Sequence, residues 1–493
     1  MSGNHLHLAS QRRKQSTWFA DGARVGSKEA GLPPQDGDSV RRWEAGKTTR
    51  LNSAHWGLVN GNYINDDLGM YLDTLRARCF WEMANNPTVE GIIDTYASDF
   101  VGVNGPKLQV VSEDEQYNDL LEGFWREWVN DPKQFDLAGT MTLADMMLLW
   151  VRTWFTDGEY LVQLVNEGRP KVMNIAPRRL KSPMGSLPSK GIVMGVARNK
   201  HGRPTAYYIE KADPGLAGSS TLGATSTVKA ANMIHMFFPT EAGQARGIPW
   251  LASNLQIIAD MRDYDEQVLD AARSAADMAV YFYTKREDIT FQEVNESTEI
   301  ERRQQSFLPP GYEMAQLDPK QPATVYADYR GARHGDMGRP FGMPRMMVDL
   351  DASGYNYSSA RMENQKYWVT IGTKRGACAR TTLNPLVERE AAFRRMTGKL
   401  GMAPAGVRYV WVWDSAPHVD PKKEAEAEAI QLANFTRTLS DAVKDRGTDI
   451  ESHIAQLKKE KELMDAAGLA KATVVTMKDS DDEKDEEDVP KTE

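Results

Sequence analysis

Apolar side chains recur every three or four residues in the first clearly patterned part of the chain, which begins near Leu68. This spacing places them on one face of a helix. Proline opens a helix more readily than it continues one, so Asn86-Pro87 is expected to divide the stretch into two helices that together end near Val101. The same spacing predicts further helices over residues 117–129 and 143–155.

Between residues 158 and 238 the pattern changes to short segments rich in β-branched and aromatic residues, separated by Gly, Pro or Asn. Such segments are typical of strands. The predicted strands have the sequences GEYLVQLV, KVMNIA, IVMGVARN, TAYYIEK and NMIHMFF. The nearly uncharged run 213–227 predicts an exposed loop before the last of them.

A long helix is predicted over residues 249–284, because neither Gly nor Pro interrupts the chain from Trp250 to Thr284. At 1.5 Å per residue it would be roughly 50 Å long. One face of it consists of Met261, Tyr264, Val268, Ala272, Ala275 and Ala279. A helix of this length, with small side chains along its second half, does not easily cover that face within one subunit. We therefore expect the face to pack against sister copies.

A second long helix is predicted to start at the polar residues 356–359, which suit an N-cap, and to reach Leu400 with a bend at Pro385. The remaining pattern predicts short strands and turns over 285–325, a helix over 326–338, a loop over 341–356, a strand with the sequence RYVWVW, and helices over 420–445 and 449–467.

The composition excludes several classes of protein. The chain has 493 residues, enough for two to four structural units. No apolar stretch reaches 18 residues and the N-terminus lacks the apolar core of a signal peptide, so we expect neither a membrane span nor export. Cys79 and Cys378 are too few for a disulfide framework or a four-thiolate zinc site, which indicates a soluble protein of a reducing compartment.

The net charge of −9 is unevenly distributed. The run DSDDEKDEED at 479–488 contains eight acids and one lysine, which leaves the rest of the chain close to neutral. It lies in a segment, 471–493, with the composition of an acidic disordered tail. Residues 1–64 are rich in Gly, Pro and Ser with basic clusters, and predict a flexible arm whose order depends on a neighbour.

No motif in the sequence indicates catalysis, a cofactor or a metal. Gly46-Lys47-Thr48 resembles part of a phosphate-binding loop, but Arg41 occupies the position that such a loop reserves for its first glycine. The eight histidines are scattered, and neither H-E-x-x-H nor G-x-S-x-G occurs. Asp157 and Glu159 are interpreted as part of a turn that precedes a strand.

The second long helix is strongly basic. Nine basic residues and three acids lie between Tyr357 and Leu400. The four basic residues nearest its start are Arg361, Lys366, Lys374 and Arg375. They fit two roles equally well, contact with phosphates or pairing with acidic residues of a neighbouring subunit.

A series of short motifs runs through residues 65–470. The motifs are Leu75-Arg76-Ala77-Arg78, Asn85-Asn86-Pro87, Val101-Gly102 with Gly105, Trp125 and Trp128, Asp136 with Gly139 and Thr142, Asp157-Gly158-Glu159, Arg246-Gly247-Ile248-Pro249, Leu308-Pro309-Pro310-Gly311 with Asp318-Pro319, Gly342-Met343-Pro344, and Asn356-Tyr357-Ser358-Ser359-Ala360-Arg361. In this order they resemble the lambda family of tailed-phage portal proteins. The last motif, placed after a G-x-P loop, is the most specific.

This resemblance implies an α+β, predominantly α-helical portal fold that assembles as a cyclic ring, usually of twelve copies. Its parts would be a flexible arm (1–64), a wing (65–248), a first stem helix (249–284), a clip (285–325), a second stem helix (326–340), a tunnel loop (341–356), a long kinked helix with a returning wing strand (357–419), a crown (420–470) and the acidic tail (471–493).

The resemblance also implies a function and a set of partners. A portal ring lies at one capsid vertex, passes double-stranded DNA that the terminase motor packages, and docks head-completion or connector proteins beside the major capsid protein. No nucleotide site is visible in this sequence, so the energy for translocation would come from terminase. The residues expected to face the DNA are Asp349, Asp351, Ser353, Asn356, Tyr357, Ser358 and Ser359.

Helix dimensions agree with a ring of twelve. Packed helices lie about 8–10 Å apart, so twelve side by side enclose a circle of about 30–38 Å across their axes. A helix width of ~10 Å leaves a hole of roughly 20–28 Å. That hole admits a duplex roughly 20 Å wide. Six helices would leave only about 5–9 Å.

Two other interpretations remain open at this point. The chain could instead be a nucleic-acid-processing enzyme with an unrecognised site, or a basic amphipathic scaffold protein of the phage head. A nuclease or ATPase activity tied to named residues would favour the enzyme, and only a portal should form rings with a central hole.

Overall fold

The structure is a computed structural model that describes residues 63–183, 191–211, 224–277, 281–283, 313–315, 323–414, 421–445 and 450–466. The chain divides into two units, and the elements below belong to the second, Ile64–Glu493. The predicted arm and acidic tail lie outside the described residues, as do most of the clip and most of the loop predicted over 213–227.

Five helices form the first part of the unit. They are α1 (Ile64–Asn85), α2 (Pro87–Val101), α3 (Glu115–Asn130), the short α4 (Pro132–Phe135) and α5 (Leu143–Thr156). The predicted break between α1 and α2 is confirmed, since the Asn86 side chain accepts hydrogen bonds from the backbone N–H of Thr88 and Val89. A capping box between Thr142 and Asp145 begins α5.

Among the described residues, the strands pair in antiparallel fashion. A three-stranded sheet has the order β3 (Pro170–Ile175), β2 (Glu159–Asn166), β8 (Met233–Phe237). A four-stranded sheet consists of β4 (Ile192–Val193), β5 (Val196–Arg198), β6 (Pro204–Glu210) and β7 (Thr225–Lys229). The end predicted for the loop over 213–227 is too late, because β7 already starts at Thr225 and pairs with β6.

The core is aromatic. Trp128, Trp154, Tyr96 and Phe155 are fully buried within it. Trp154 stacks on the ring of Trp250, 5.3 Å away, which joins α5 to the segment that precedes the first long helix. Aromatic side chains bury large apolar areas, so these contacts supply much of the stability of this part of the chain.

The first long helix is shorter than predicted. A 3₁₀ turn at Trp250–Asn254 leads into α6 (Leu255–Asp277), and Tyr281–Tyr283 is already a strand, β9, paired with β10 (Glu313–Ala315). The prediction of helix to residue 284 is therefore wrong. The sequence YFY favours a strand by its aromatic residues, although no Gly or Pro marks the change. The next helix, α7 (Ala323–Gly338), covers the predicted 326–338.

The second long helix consists of α9 (Tyr357–Cys378), a π-turn over Ala379–Leu383, and α10 (Asn384–Met396). The predicted interruption is present, one turn before Pro385, because proline has no N–H to donate and its ring excludes the carbonyl four residues earlier. The helix ends before the predicted Leu400, and Gly398 has a φ of +70°.

The loop predicted over 341–356 contains a short helix, α8 (Arg345–Asp349). The strand β11 (Arg408–Val412) pairs with β1 (Lys107–Val111), and confirms the strand predicted for RYVWVW. Beyond it lie α11 (Pro421–Ala433), α12 (Leu439–Asp445) and α13 (Ile450–Ala466). The single helix predicted over 420–445 is thus two helices, separated near Phe435, which has a φ of +55°.

Candidate functional site

The channel segment, residues 342–356, connects α7 with α9. It begins at Gly342, whose φ of +68° is a conformation that favours glycine. A Cβ at this position would lie 2.7 Å from Thr370 Oγ1 of α9, so glycine also permits the close approach of the two elements. The start of the segment is therefore held close to α9.

The first half of the channel segment is packed onto the core. Met343 and Val348 are buried. Asp349 pairs with His334 of α7 through Nδ1, and its Oδ2 accepts a hydrogen bond from Arg345 Nε at 3.0 Å. The Asp349 side chain is only 19% exposed. Its carboxylate is thus engaged by two groups of the same chain, and its contact with DNA stays a prediction.

The second half of the channel segment is exposed. Leu350, with a φ of +50°, exposes 75% of its surface, and residues 351–354 are exposed after it. Asp351 accepts a hydrogen bond from the backbone N–H of Ser353 at 2.8 Å, and this bond lowers the pKa of Asp351. Asn356 caps α9 by accepting from Ser359 N at 2.9 Å. The segment thus presents a charged carboxylate on a locally ordered turn.

The other predicted residues of the segment divide between exposed and half-buried positions. Asp351, Ser353, Asn356 and Ser358 are exposed, whereas Tyr357 and Ser359 are half-buried. The structure therefore brings Asp351, Ser353 and Asn356 together on one exposed turn. Which of them meet DNA stays a prediction.

Two of the four basic residues predicted on α9 are internal. Arg375 is buried and donates hydrogen bonds to the carbonyl oxygens of Asp99, Phe100 and Asp414 at 2.8–2.9 Å. The Lys374 ammonium lies 3.7 Å from the centre of the Phe238 ring, and burial lowers its pKa. The expected roles are corrected for Arg375, which is buried, whereas they stay predictions for Lys374, which is half-buried.

The other two predicted basic residues remain available. Lys366 is exposed and Arg361 is half-buried. Phosphate contact and pairing with a neighbouring subunit therefore stay open for these two positions.

The predicted face of the first long helix is partly covered by the same chain. Met261 is buried, and the Tyr264 ring lies 4.6 Å from that of Tyr329 and 6.0 Å from that of Tyr326, both on α7. Met261 therefore packs within the chain, and contact with a sister copy stays a prediction for the half-buried Tyr264. Val268 is half-buried and Ala272 is exposed, which leaves this end of the face for another contact. The side chain of Ala275, and Ala279 altogether, lie outside the described residues.

A buried ionic cluster joins the two sequence motifs Asp157-Gly158-Glu159 and Arg246-Gly247. The Glu159 carboxylate is fully buried and accepts hydrogen bonds from Arg76 at 2.8 Å, Arg246 at 2.7 Å, His235 at 2.9 Å and the Gly247 N–H at 2.7 Å. We call this group the Glu159 hub. It connects α1, β2, β8 and the segment that precedes α6. The predicted turn that precedes a strand is present, since Asp157 and Gly158 form the turn and β2 starts at Glu159, but the turn does not indicate the burial of the Glu159 carboxylate.

Two glycines permit the hub to form. A Cβ on Gly158 would lie 2.2 Å from the carbonyl carbon of Ile248, and a Cβ on Gly247 would lie 2.1 Å from the carbonyl oxygen of Gly158. Gly158 also has a φ of +82°. The two backbones therefore approach to a distance that no other residue type allows.

The hub shifts the pKa values of its two carboxyl groups in opposite directions. Burial opposes the charged form of Glu159, but Arg246, His235 and Arg76 together bring its pKa well below the usual range. Asp157, also buried, has one charged partner, Arg76, at 3.6 Å. Burial dominates there and raises the pKa of Asp157 to about 6. A pair of carboxyl groups two residues apart thus has one member that is always charged and one that binds a proton.

Asp157→Asn is expected to increase stability at alkaline pH. The folded pKa of Asp157 is raised above its unfolded value, so its contribution to stability is complete below about pH 4 and is lost as the pH rises through about 6. Asparagine is neutral at every pH and so avoids a buried charge at this position. The variant should therefore be more stable than wild type by about 1–3 kcal/mol at pH 8, and equal to it near pH 4. Urea unfolding at pH 4, 6 and 8 measures this difference. A variant less stable than wild type at pH 8 would contradict it.

The described part of the chain contains no group of three or more His, Cys, Asp or Glu side chains placed to bind a metal ion. Among the described helices, none combines the length and the apolar character that a membrane crossing requires.

Comparison with known proteins decides the family. The sequence matches the lambda family of phage portal proteins over residues 50–375, which is more than half of the chain. The chain belongs to this family. The matched region includes the hub, α6, α7, the channel segment and α9 as far as Arg375.

One relative of this portal family member covers nearly the whole chain. A protein of Halomonas phage phiHAP-1 described as "Probable portal protein" is 21% identical over an alignment of 484 residues. The alignment covers 91% of this chain and 93% of the phage protein.

Two solved structures are weakly similar. One chain in the structure of the neck of a native gene transfer agent particle, computed with C12 symmetry, is 16% identical to this chain. The match covers 76% of this chain and 92% of the neck chain, with a TM-score of 0.41. An HK97 family phage portal protein from Corynebacterium diphtheriae is 12% identical, with 71% and 98% coverage and a TM-score of 0.31. At these TM-scores the family membership depends on the sequence match.

Proposed function

We propose that twelve copies of this chain form a ring at one vertex of a phage capsid, and that double-stranded DNA passes through it during packaging and ejection. The observation that supports this most is the match to the lambda portal family over residues 50–375. In this proposal the terminase motor supplies the energy, and the portal is a conduit rather than an enzyme. The chain would be part of the virion, and of the host cytoplasm during assembly.

Exposed apolar side chains support the association of copies. On α9, Met362 and Val369 each expose 67% of their surface, and they lie seven residues apart, on the same face of the helix. On α6, Leu269 exposes 50%. Single exposed apolar residues are common, but two on one helix face favour burial against a partner. A neighbouring copy in the ring is the partner we propose.

The charge of the exposed turn supports brief contact with DNA. Asp351 is the charged residue at the tip of the channel segment, and no basic residue occurs in residues 350–356. Many arginines or lysines at this position would bind phosphates tightly and in a salt-dependent manner. A turn with a carboxylate and small polar side chains allows the duplex to slide. Asp351, Ser353 and Asn356 are therefore our proposed channel-lining residues.

We propose further partners at the clip, residues 285–325, where terminase would dock first and connector proteins later. The major capsid protein would contact the wing. Of the clip, the structure describes only 313–315 and 323–325. The proposed partners of the clip therefore follow from family membership alone.

Replacing residues 350–355 by six glycines tests the channel. The exchange leaves the Asp349–His334 pair and the Asn356 cap intact, so the chain should still form rings, while packaging or retention of DNA should fall to background. Mass photometry measures the ring, and the DNA content of purified heads measures packaging.

A control replaces the exposed residues 401–406, also six in number, by glycine, and this variant should package normally. Heads of the 350–355 variant that contain the full-length genome at the wild-type yield would contradict the assignment of this turn to the channel. A purified wild-type protein that remains monomeric would contradict the proposed ring.

A further inference from the structure

A cavity of about 310 Å³ lies between the β2–β3 turn and α10. Pro170, Ala392, Phe393 and Met396 supply apolar walls, and Arg169 and Arg389 supply two guanidinium groups. Neither the Glu159 hub nor the channel segment includes any of these residues. Cavities that combine apolar walls with a few polar groups are the usual form of a binding site.

The charge of Arg389 is not neutralised at the cavity. Its Nη2 donates to Asn166 Oδ1 at 3.2 Å and to Asn232 Oδ1 at 3.3 Å, and both acceptors are uncharged. None of the ion pairs between described residues includes Arg389. A buried or half-buried guanidinium with neutral acceptors favours a bound carboxylate or phosphate.

Arg169 adds a second positive charge that is only weakly compensated. Its Nη2 lies 3.8 Å from Glu390 Oε1, while Arg394 Nε binds the same oxygen at 2.6 Å. Neither Nε nor Nη2 of Arg169 makes a hydrogen bond within the described residues.

The other charged groups around the cavity do not cancel its positive charge. Glu127 lies 3.5 Å from Arg394, and Glu167 lies 3.3 Å from Lys171. With Glu390, these three acids face three basic side chains, Arg169, Lys171 and Arg394, and Arg389 adds a fourth positive charge. The cavity is therefore positive, and a ligand with carboxylates would complement it.

The size and the walls of the cavity define the rest of the ligand. A volume of about 310 Å³ accommodates one large apolar side chain together with a carboxylate. The sequence of this chain contains that combination, since Met477 is followed two residues later by the run 479–488 with its eight acids.

We propose that this cavity binds the acidic segment 477–488 of the chain itself, with the Met477 side chain against Phe393 and Met396 and with acids of the run on Arg389 and Arg169. The inference does not depend on the channel function, because the site and its ligand belong to one chain whether or not copies assemble. Binding through exposed charges weakens as salt is added.

A labelled peptide tests the site. The full-length chain is prepared with the eight acids of 479–488 replaced by amides, which leaves the cavity free, and a fluorescein-labelled peptide with the sequence of residues 474–488 is added. Fluorescence anisotropy should show saturable binding at 50 mM salt. Arg389→Glu should weaken it at least about tenfold, because a charge-assisted contact becomes a repulsion. Arg389→Lys should retain most of the affinity.

Further variants separate the cavity from general charge attraction. Ala392→Trp keeps every charge but fills the cavity. It is expected to weaken binding of the peptide as Arg389→Glu does. Arg203→Glu, at an exposed position in the β5–β6 turn, is the matched control and should change the affinity by less than about twofold. A Met477→Ser peptide should bind more weakly than the natural sequence.

Three results would overturn the proposal. They are the absence of saturable binding at 50 mM salt, equal binding by the Arg389→Glu and Arg203→Glu proteins, and equal binding by a poly-glutamate peptide of the same length. Cooperative thermal unfolding of each variant, measured in parallel, shows that a loss of binding is not a loss of fold.

Discussion

Replacing Glu159 by alanine is expected to lower the free energy of unfolding by about 3–5 kcal/mol. The Glu159 carboxylate is fully buried and neutralises Arg76 and Arg246, which are themselves buried. Its removal leaves Arg246 without its carboxylate partner and Arg76 with only Asp157, at 3.6 Å, in a region of low dielectric. It also leaves the Gly247 N–H without its acceptor. A loss of this size is a large fraction of the total stability of a typical domain.

Urea unfolding at pH 7, followed by tryptophan fluorescence, measures this loss. Glu159→Gln keeps the shape of the side chain and removes only the charge, so it should still be destabilising. The control is Glu167→Ala at the end of the same hairpin, where the carboxylate is 64% exposed and pairs with Lys171 at 3.3 Å. A surface pair of this kind contributes about 0–1 kcal/mol. Equal losses for Glu159→Ala and Glu167→Ala would show that the hub does not stabilise the fold.

Gly158→Ala is expected to destabilise the chain by about 3 kcal/mol or more, from backbone strain and overpacking together. The new Cβ would lie 2.2 Å from the carbonyl carbon of Ile248, and that atom belongs to the backbone and cannot rotate away. The substitution would separate the two segments that meet at the hub. Its effect should therefore appear in the hub itself, as a loss of the hydrogen bond between Gly247 N and Glu159.

A second glycine separates strain from crowding. Gly168 has a φ of +71°, similar to the +82° of Gly158. No atom lies within 4 Å of the position that a Cβ on Gly168 would take. Gly168→Ala should cost only the strain of the left-handed conformation, about 1 kcal/mol. Thermal unfolding of both variants measures the difference. A Gly158→Ala protein as stable as the Gly168→Ala protein would contradict the close approach.

Local signals in the sequence predicted most of the secondary structure. The Asn86-Pro87 break, the strands β2, β3, β6 and β8, and the interruption near Pro385 each depend on residues that are neighbours in the chain. The single strand predicted for IVMGVARN is wrong, because β4 and β5 form a hairpin there. Where local signals conflicted, the prediction failed. The YFY segment at 281–283 continued a pattern without Gly or Pro, and its strand conformation depends on pairing with residues 313–315.

The sites were less predictable because they depend on contacts between distant residues. Glu159 and Arg246 are 87 positions apart, so a turn-like DGE gave no indication that its carboxylate would be fully buried. In the sequence, Arg375 is one of nine basic residues on the second long helix. Only the fold shows that it donates hydrogen bonds to three backbone carbonyl groups. A hint existed in the glycines, since Gly158 and Gly247 each adjoin a charged residue, but which two segments meet is a tertiary property.

The position of the hub has a mechanical consequence for α6. Arg246 and Gly247 lie immediately before Pro249, where the chain enters the 3₁₀ turn that leads into this helix. The near end of α6 is therefore clamped to the sheet and to α1. The last residues of α7 lie at this same end, because the Asn254 side chain donates a hydrogen bond to the Met337 carbonyl oxygen at 2.8 Å. A force along α6 is therefore expected to reach β2 and α1 through one anchored end, where Gly338 and Gly342 are also closely packed.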